Sequence, residues 1–490
     1  MLQPLHPLSS LTLALAITLG GCAAVGPEHR PPEPAVQAQW ASPLPHGGSV
    51  RDLGQWWQQF NDPVLARLQQ AAEADGPTLA TAWGNVALAR ATLAGTGASA
   101  WPTLSGGASV SRARQQGTGT GSVTTTTRAA SLDASWELDL FGKLRRNVEA
   151  ATAKLDARGG DWHDARVTLA AEVASSYVEY RACGLLVDIY RQELVSVEQT
   201  ARATDSLVRA GLSPATDGAL AQATQASTTS ALLAQRAQCE LLVQSLANLS
   251  GLADAELRAL LAGGSAALPA APGFAVDRVP AEALRQRPDV ASKERDLAAA
   301  SANIGVAVAD LYPSIQLGGS IGFSATAGVS GSNWSFGPTI SIPLFDGGSR
   351  RAAVDAARAS HEVAYAQWRQ AVRNAVTEVE KALVQLDAAG RRVGQAEAAA
   401  DAYRRYLSGA EAERRAGTIS LLSFEESRRQ ALSAQLDLIA LQRDQVSDWI
   451  ALYKALGGGW DRGSPTPITP PRSRAATAPS APSAPSAPST

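Results

Sequence analysis

The sequence predicts an α+β membrane protein built from two tandem repeats, each of which contains a β-hairpin and two long helices. Three observations lead to this fold class: a short repeated segment, period-two strand patterns after each copy, and long helical patterns after the strands. The segment Trp101–Leu104 (WPTL) matches Tyr312–Ile315 (YPSI) at an offset of 312 − 101 = 211 residues. Pro77 and Pro288 keep that offset, since 288 − 77 = 211, so the repeat extends beyond one motif.

Each copy of the motif opens a pair of predicted strands on either side of a Gly/Ser/Thr-rich loop. The apolar positions of the second copy are Ile315, Leu317, Ile321, Phe323, Trp334, Phe336, Ile340 and Ile342, and those of the first are Leu104, Ala108, Val110, Leu132, Trp136, Leu138 and Leu140. Strands of about ten residues with one apolar face have the length and polarity of tilted transmembrane β-strands. The same alternation also fits a four-stranded sheet packed on its own helices.

The strands lead into two long helical segments, from about 142 to 209 and from about 347 to 416. The first segment contains no proline. Its mostly apolar residues form a stripe with alternating spacings of four and three: Leu169, Val173, Ser176, Tyr180, Cys183, Val187, Tyr190, Leu194, Val197, Ala201, Thr204 and Val208. A heptad seam of this extent indicates coiled-coil packing, and such a helix spans roughly 100 Å. Gly211 and Gly417 are expected to end the two helices, and a second helix is expected to return to about 250 or 456.

Membrane-spanning hairpins would require more than one copy of this chain. Four strands are too few to close a barrel, since about eight is the practical minimum. The unpaired N–H and C=O groups of an open sheet edge are costly in lipid. The sequence therefore predicts an oligomer in which hairpins and helix pairs of several copies stand side by side.

The bulk composition excludes several function classes. Lys and Arg number 43 against 45 Asp and Glu, for a net charge of −2, so we expect no nucleic-acid partner. The sequence contains no GxSxG, HExxH or CxxC motif, and its 5 His are scattered. We therefore expect a protein that is not an enzyme and that uses no cofactor and no metal.

Cys183 and Cys239 are centred on Gly211, because (183 + 239)/2 = 211. In an antiparallel helical hairpin folded at Gly211 the two would lie level, about 40 Å from the turn by helix rise. An oxidising compartment permits a disulfide there. Two separately buried thiols are the alternative, because helical phase could point the side chains apart.

The N-terminus is expected to be an export signal. The apolar run Leu11–Leu19 is too short to cross a membrane, although residues 1–10 contain no Lys or Arg. Residues 19–22 (LGGC) resemble the lipobox of bacterial lipoproteins, which implies removal of residues 1–21 and lipidation of Cys22. Ala23 fits delivery of such a lipoprotein to the outer membrane. The Pro/Ala/Ser-rich residues 461–490 are expected to be disordered.

Several motifs resemble the outer-membrane efflux proteins, which are TolC-like channels. They are "RQRPDVASKERDLAAASANIGVAVADLYPSIQL", "CAAVGPEHRPPEP", "WWQQFNDPVL" and "LYKALGGGW", and the last three look like the lipoprotein branch (OprM- and NodT-type). The resemblance covers residues 22–460. It implies a homotrimer with a 12-stranded outer-membrane β-barrel, four strands per subunit, continued by a long α-helical periplasmic barrel of twelve helices.

The resemblance also implies a function and partners. The chain would be the passive exit duct of a tripartite efflux system for drugs or other small toxic compounds. An inner-membrane pump, RND-type or ABC-type, would drive it through a periplasmic adaptor (membrane fusion) protein. A duct for type I protein secretion and a non-conducting structural lipoprotein are the alternatives.

Two groups of residues at the helical turns are candidate functional sites. Asp205 and Glu411 each lie six residues before a turn glycine, and closely spaced acids in a ring can hold a gate with Arg209 and Arg415. In relatives, acids near the helix ends narrow the pore; solvated surface carboxylates are the alternative. The expected adaptor-contact residues, which could equally be plain tight turns, are Gly211, Leu212, Ser213, Gly417, Thr418 and Ile419.

The predicted organisation follows from these elements. An N-terminal arm (22–61) precedes repeat 1 (62–280), with its hairpin at about 101–140 and its helices at about 142–209 and 213–250. Repeat 2 (281–460) has its hairpin at about 312–344 and its helices at about 347–416 and 420–456. Arg287-Pro288-Asp289 in repeat 2 is expected to be structural, because Pro288 suits a first helical turn and Asp289 favours the helix dipole.

Overall fold

The computed structural model describes residues 24–44, 50–116, 121–271, 273, 276, 280–461, 463 and 466. The predicted signal peptide, the lipidation site Cys22 and nearly all of the predicted tail lie outside the described residues. The chain divides into two compact units. Unit 1 comprises residues up to Pro34, Asn85–Gly160 and Ala291–Ala371, and unit 2 comprises Ala35–Gly84, Asp161–Val290 and the residues from Val372 onward.

The chain is mostly helical. A 3₁₀ helix at Val50–Phe60 precedes nine α-helices of the described chain: α1 (Pro63–Asp75), α2 (Pro77–Ala98), α3 (Lys143–Arg209), α4 (Ala215–Ser250), α5 (Asp254–Ala262), α6 (Pro280–Arg285), α7 (Pro288–Ala309), α8 (Ser349–Ala416) and α9 (Leu421–Ala455). Helices α3 and α8 have 67 and 68 residues. Pro77 and Pro288, which keep the repeat offset, each begin a helix, where the missing proline N–H costs no hydrogen bond.

Unit 1 contains one antiparallel sheet of four strands in the order β1 (Thr103–Gln116), β2 (Ser122–Leu138), β3 (Ser314–Thr326) and β4 (Val329–Ser341). The prediction of four strands and long helices in one chain is confirmed. The central pair β2–β3 joins the two hairpins, with Trp136 opposite Leu317 and Leu132 opposite Ile321. Strands β1 and β4 are the two edges of this sheet.

The strands have 14, 17, 13 and 13 residues, so the expected length of about ten was wrong. The physical reason is that residues assigned to the loops continue the ladder. In the second hairpin only Ala327 and Gly328 lie between the strands, with φ of 51° and 86°. Positive φ at both central residues is what a two-residue hairpin turn requires, so pairing reaches Thr326 and Val329.

The first part of the N-terminal arm, residues 24–34, packs on the rest of unit 1 through close backbone contacts. Val25 N–H donates to the Phe141 carbonyl oxygen at 3.1 Å, and the buried Arg146 donates from Nε to the Val25 carbonyl oxygen at 3.1 Å. A Cβ built on Gly26, whose φ is +93°, would lie 2.4 Å from the Gly305 Cα, so only glycine fits there. His29 Nε2 contacts Glu294 Oε1 at 2.9 Å. The arm is therefore held within three residues of the end of β2.

Unit 2 brings together two motifs that are far apart in the sequence. Trp56 of the 3₁₀ helix is 1% exposed and stacks on Tyr453 of α9, with ring centroids 5.0 Å apart. Asp62 caps α1 by accepting hydrogen bonds from the N–H groups of Val64 and Leu65. Its other carboxylate oxygen accepts a 2.7 Å hydrogen bond from the Tyr177 hydroxyl, which ties α1 to α3.

None of the helices in the described part of the chain combines the length and hydropathy of a membrane-spanning helix.

Candidate functional site

The sheet of unit 1 has two chemically different surfaces. Even-numbered residues of β1, β2 and β4 and odd-numbered residues of β3 share one side, named here the apolar face. Its large members are Leu104, Val110, Leu132, Trp136, Leu138, Ile315, Leu317, Ile321, Phe323, Trp334, Phe336 and Ile340. Trp334 and Phe336 are 79% and 71% exposed. A contiguous exposed apolar surface of this kind marks contact with a membrane or a partner.

The opposite side, named the polar face, is a network of small hydroxyl and amide groups. The Oγ1 atoms of Thr127 and Thr326 lie 2.9 Å apart, and the Oγ atoms of Ser320 and Ser335 lie 2.9 Å apart. Gln316 Nε2 donates to Ser135 Oγ at 2.8 Å, joining the two hairpins. These side chains also suit contact with water, as the lumen of a membrane barrel requires.

The first helical turn, residues 210–214 between α3 and α4 and named the first tip, is closed by Gly211. Its φ is +71°, and the following Leu212 N–H donates to the Leu207 carbonyl oxygen at 2.8 Å, as in a glycine-terminated helix. Ser213 Oγ donates to Asp217 Oδ2 at 2.8 Å. Leu212 is 76% exposed. An apolar side chain at this exposure is available to a partner.

The second tip, residues 417–420 between α8 and α9, repeats this geometry. Gly417 has φ of +74°, and the Thr418 N–H donates to the Glu413 carbonyl oxygen at 3.0 Å. Ile419 packs against the buried cluster Ala201, Ala221, Ala410, Leu421 and Phe424, which joins all four helices of the two hairpins. The exposed apolar side chain at this tip is instead Leu422, at 65%. Sequence inspection missed Leu422 because the turn pattern does not show which side of α9 is covered.

The four residues predicted to form a gate pair within their own helices. Arg209 Nη2 lies 2.6 Å from Asp205 Oδ2, and Arg415 Nη2 lies 3.9 Å from Glu411 Oε2. Arg415 Nε also donates to the Glu411 carbonyl oxygen at 3.2 Å. Both pairs span one helical turn, and both arginines are exposed. The structure thus places each acid one turn before the end of its helix, together with a cationic partner.

A buried charged cluster, which sequence inspection missed, links the two helical hairpins α3–α4 and α8–α9 near these tips. Arg428 of α9 is 3% exposed. Its Nη2 donates to the hydroxyls of Ser196 and Thr200 on α3, at 3.1 and 2.9 Å. Arg428 Nη1 lies 3.0 Å from Glu425 Oε1, and Nε lies 3.6 Å from Glu193 Oε1. We name Arg428, Glu193, Glu425, Ser196 and Thr200 the Arg428 cluster.

Burial sets the electrostatics of the Arg428 cluster. Desolvation raises the pKa of Glu193 to about 7, against the lowering effect of Arg428. Desolvation also raises the pKa of Glu425. One sequence signal could have identified Arg428: it continues the 3-and-4 spacing of buried Leu421, Phe424 and Ala431, whereas Arg429 does not. An arginine in an apolar seam needs a buried partner.

A second buried charged group involves the Arg287-Pro288-Asp289 triplet. Arg287 is 7% exposed and donates from Nε and Nη2 to the two carboxylate oxygens of Asp289, at 2.9 and 2.7 Å. Its Nη1 lies 2.7 Å from Glu378 Oε2 on α8 and 2.9 Å from the Ala455 carbonyl oxygen of α9. One guanidinium thus joins α7, α8 and the last residue of α9.

The sulfur atoms of Cys183 and Cys239 are bonded, which joins α3 to α4. The two residues are 56 positions apart, and Gln235 Nε2 donates to Cys183 Sγ at 3.0 Å. No group of three or more His, Cys, Asp or Glu side chains among the described residues is placed to hold a metal ion.

Replacing both cysteines by serine is expected to destabilise the α3–α4 hairpin by about 4 kcal/mol, because the bond closes a long loop in the unfolded chain. We expect the variant to be cut faster by trypsin between 183 and 239 than the wild type. Equal cleavage rates with and without the bond would contradict this stabilising role.

Comparisons with known proteins agree with this architecture. The chain matches the family described as "Outer membrane efflux protein" over residues 68–252 and 279–458. It is 33% identical over 461 residues to Nodulation protein T of Rhizobium leguminosarum bv. trifolii, covering 91% of this chain and 96% of that protein. It is 31% identical over 470 residues to the toluene efflux pump outer membrane protein TtgI of Pseudomonas putida, covering 92% and 98%.

A solved structure of the outer-membrane channel OprN is similar in fold and sequence. The TM-score is 0.80 at 30% identity, and the match covers 89% of this chain and all of that one (100%).

Proposed function

Because the chain belongs to the outer membrane efflux protein family, whose members are channels and not enzymes, we propose that it is the trimeric exit duct of a tripartite efflux system. It is the outer-membrane channel component of that system. The proposed cargo is drugs or other small toxic compounds, which the similarity to a toluene efflux pump protein supports. The polar face carries mostly small polar groups, with the acids Asp133 and Glu137 among them, a permissive lining for varied cargo.

The single observation that carries this proposal is the open four-stranded sheet with an exposed apolar face. Its edges β1 and β4 leave N–H and C=O groups unpaired, which lipid does not tolerate. Pairing β4 of one copy with β1 of the next satisfies both edges. Three copies then form a closed barrel of 3 × 4 = 12 strands, with the apolar face toward lipid and the polar face toward the lumen. The two similar halves of the chain, proposed tandem repeats 62–280 and 281–460, each supply one hairpin.

The N-terminal arm supports lipid anchoring beside this barrel. Ala24 and Val25 contact Gly142 and Phe141, immediately after β2. A lipid on Cys22, two residues before Ala24, would then lie at the membrane edge of the sheet. The helices α3, α4, α8 and α9 would extend into the periplasm of a Gram-negative bacterium.

The two tips are the proposed adaptor contacts. Each has a solvent-exposed leucine, Leu212 or Leu422, beside a glycine turn. Threefold symmetry would bring Asp205 and Glu411 of the three copies into rings near the tips, where acids favour cations and narrow a pore. In this proposal Arg209 and Arg415 hold these acids in the closed state.

In-cell crosslinking tests the proposed function. We expect Leu212→Cys and Leu422→Cys, labelled with a short bifunctional reagent, to capture a periplasmic adaptor together with an RND-type pump. Ser360→Cys, exposed on α8 in unit 1, is the matched control and should capture neither. Capture of an adaptor with an ABC-type secretion transporter would move the function to protein secretion. An intact trimer that captures no adaptor would contradict the docking role of the tips.

A further inference from the structure

Three arginines lie on the apolar face at the turn end of the first hairpin. Arg128 of β2 is opposite Val110 of β1, and Arg112 of β1 is opposite Thr126. Arg114 follows two residues beyond Arg112, on the same side of β1. We name Arg112, Arg114 and Arg128 the arginine trio. Directly opposite and diagonal neighbours on one sheet face are roughly 4.5–8 Å apart, so one headgroup can contact more than one of them.

The trio has no acidic counter-charge on its own side of the sheet. Among the described residues of the four strands, the acids are Asp133 and Glu137, and both belong to the polar face. All three arginines are exposed. Arg114 Nε donates to Ser122 Oγ at 2.7 Å, and within the described chain Arg112 and Arg128 have no hydrogen-bond or ion-pair partner. An exposed cationic cluster without internal neutralisation favours an anionic ligand.

The depth of the trio follows from the pattern of β2. The apolar face of this strand contains only apolar residues from Ala130 to Leu138, which is 138 − 130 + 1 = 9 residues. A tilted strand needs about 9–11 residues to cross the hydrocarbon of a membrane. Arg128 is the next residue on that face, so the trio lies just past the hydrocarbon. The other end of β2 leads to the start of α3, so the trio lies at the end of the strand opposite this connection and at the opposite membrane surface.

We propose that the arginine trio binds the phosphate groups of the phosphorylated glycolipid in the outer leaflet of the outer membrane. This inference rests on the proposed function, because it takes the apolar face to be surrounded by lipid. Guanidinium groups match phosphate with paired hydrogen bonds, and the aliphatic stems of arginine pack on apolar surface. The acyl chains of the same lipid would cover Leu132, Phe323 and their neighbours. Continuity between the cationic and apolar surfaces therefore favours a lipid over free phosphate.

Binding of bisphosphorylated lipid A to the purified full-length trimer in detergent, followed by native mass spectrometry, tests the proposal. We expect Arg112→Gln/Arg114→Gln/Arg128→Gln to weaken binding roughly 100-fold, since each arginine near an anionic membrane surface contributes about fivefold. The corresponding triple lysine variant keeps the charges and should retain most of the binding. Dephosphorylated lipid A should bind wild type and triple Gln variant equally.

Matched controls separate this inference from general anion binding. Arg202→Gln/Arg391→Gln/Arg404→Gln removes the same charge from exposed positions on α3 and α8 and should bind lipid A like the wild type. Equal binding by the wild type and the trio variant would overturn the inference, as would phosphatidylglycerol or inorganic phosphate competing equally well with lipid A.

Conductance in planar bilayers distinguishes failure of the inference from failure of the proposed function. If the wild type conducts as a trimer and the trio variant binds lipid A unchanged, only the inference is wrong. A wild type that forms no conducting trimer would overturn both.

Discussion

Methionine in place of Arg428 is expected to release the two helical hairpins from each other near the tips. The change removes the hydrogen bonds to Ser196 and Thr200 and leaves Glu193 and Glu425 buried without their cation. Removing one partner of a buried ion pair costs about 3–5 kcal/mol. If the tips form the closed gate, planar bilayers should show longer open times, and cells should admit a large antibiotic that the outer membrane excludes.

The neighbouring Arg429 provides a matched control. Its side chain is 74% exposed and pairs with Glu426 on the same helix, so Arg429→Met should cost at most about 1 kcal/mol. Identical conductance of the two variants would contradict a role for the Arg428 cluster in holding the hairpins together.

The pH dependence of Arg428→Met gives a second readout of the same cluster. Burial raises the pKa of Glu193 to about 7, and the unfolded chain loses this proton nearer 4.5. A raised folded pKa stabilises the protein below the unfolded value, and this contribution declines as pH rises from about 4.5 to about 7. The charge of Arg428 lowers the pKa of Glu193. Removing Arg428 therefore raises this pKa further. The melting difference between Arg428→Met and Arg429→Met should therefore be large at pH 8 and smaller at pH 5, where Glu193 is neutral.

Glutamine in place of Arg287 is expected to produce the second large effect, a loss of stability with little change in the tips. The guanidinium contacts Asp289, Glu378 and the Ala455 carbonyl oxygen. Glutamine cannot form the paired hydrogen bonds to Asp289 or supply the charge, so we expect a loss of about 3–5 kcal/mol. The C-terminal end of α9 should fray first, since its carbonyl loses a donor. Thermal melting followed by circular dichroism measures this.

Arg258→Gln is the control for this second change. Arg258 also contacts two acids, Glu240 and Asp254, but its side chain is 43% exposed. Exposed pairs contribute about 0–1 kcal/mol, so this variant should melt like the wild type. Equal melting of the Arg287 and Arg258 variants would show that the buried contacts of Arg287 do not stabilise unit 2.

Local patterns in the sequence were enough to identify the strands and the long helices. Period-two alternation identifies strands because side chains on a strand point to opposite faces. The glycines at 211 and 417 identify the helix ends because each adopts a positive φ that other residues avoid. The resemblance of four motifs was sufficient to identify the family, which the family match confirms.

Sequence patterns did not predict whether a side chain is buried or exposed where this depends on the residues of another helix that pack against it. Arg428 and Arg429 are adjacent and chemically identical, yet one is buried against α3 and the other is exposed. Ile419 and Leu422 are both apolar and near one tip, but only Leu422 is exposed. The second hairpin loop was expected to be longer than Ala327–Gly328 because Gly, Ser and Thr occur in the strands of this sheet as well as in its turn.

The sequence by itself determined the two β-hairpins, the long helices and the membership of a channel family, because each is encoded by short-range spacing or local motifs. The tertiary structure decided which charged residues are buried. It also decided that the arm at Ala24–Val25 contacts the end of β2, and that the arginine trio lies on the apolar face of the sheet. These features depend on strand register and helix phase, which bring residues more than a hundred positions apart into contact. The free energy of burying a charge is set by those neighbours and not by the sequence around it.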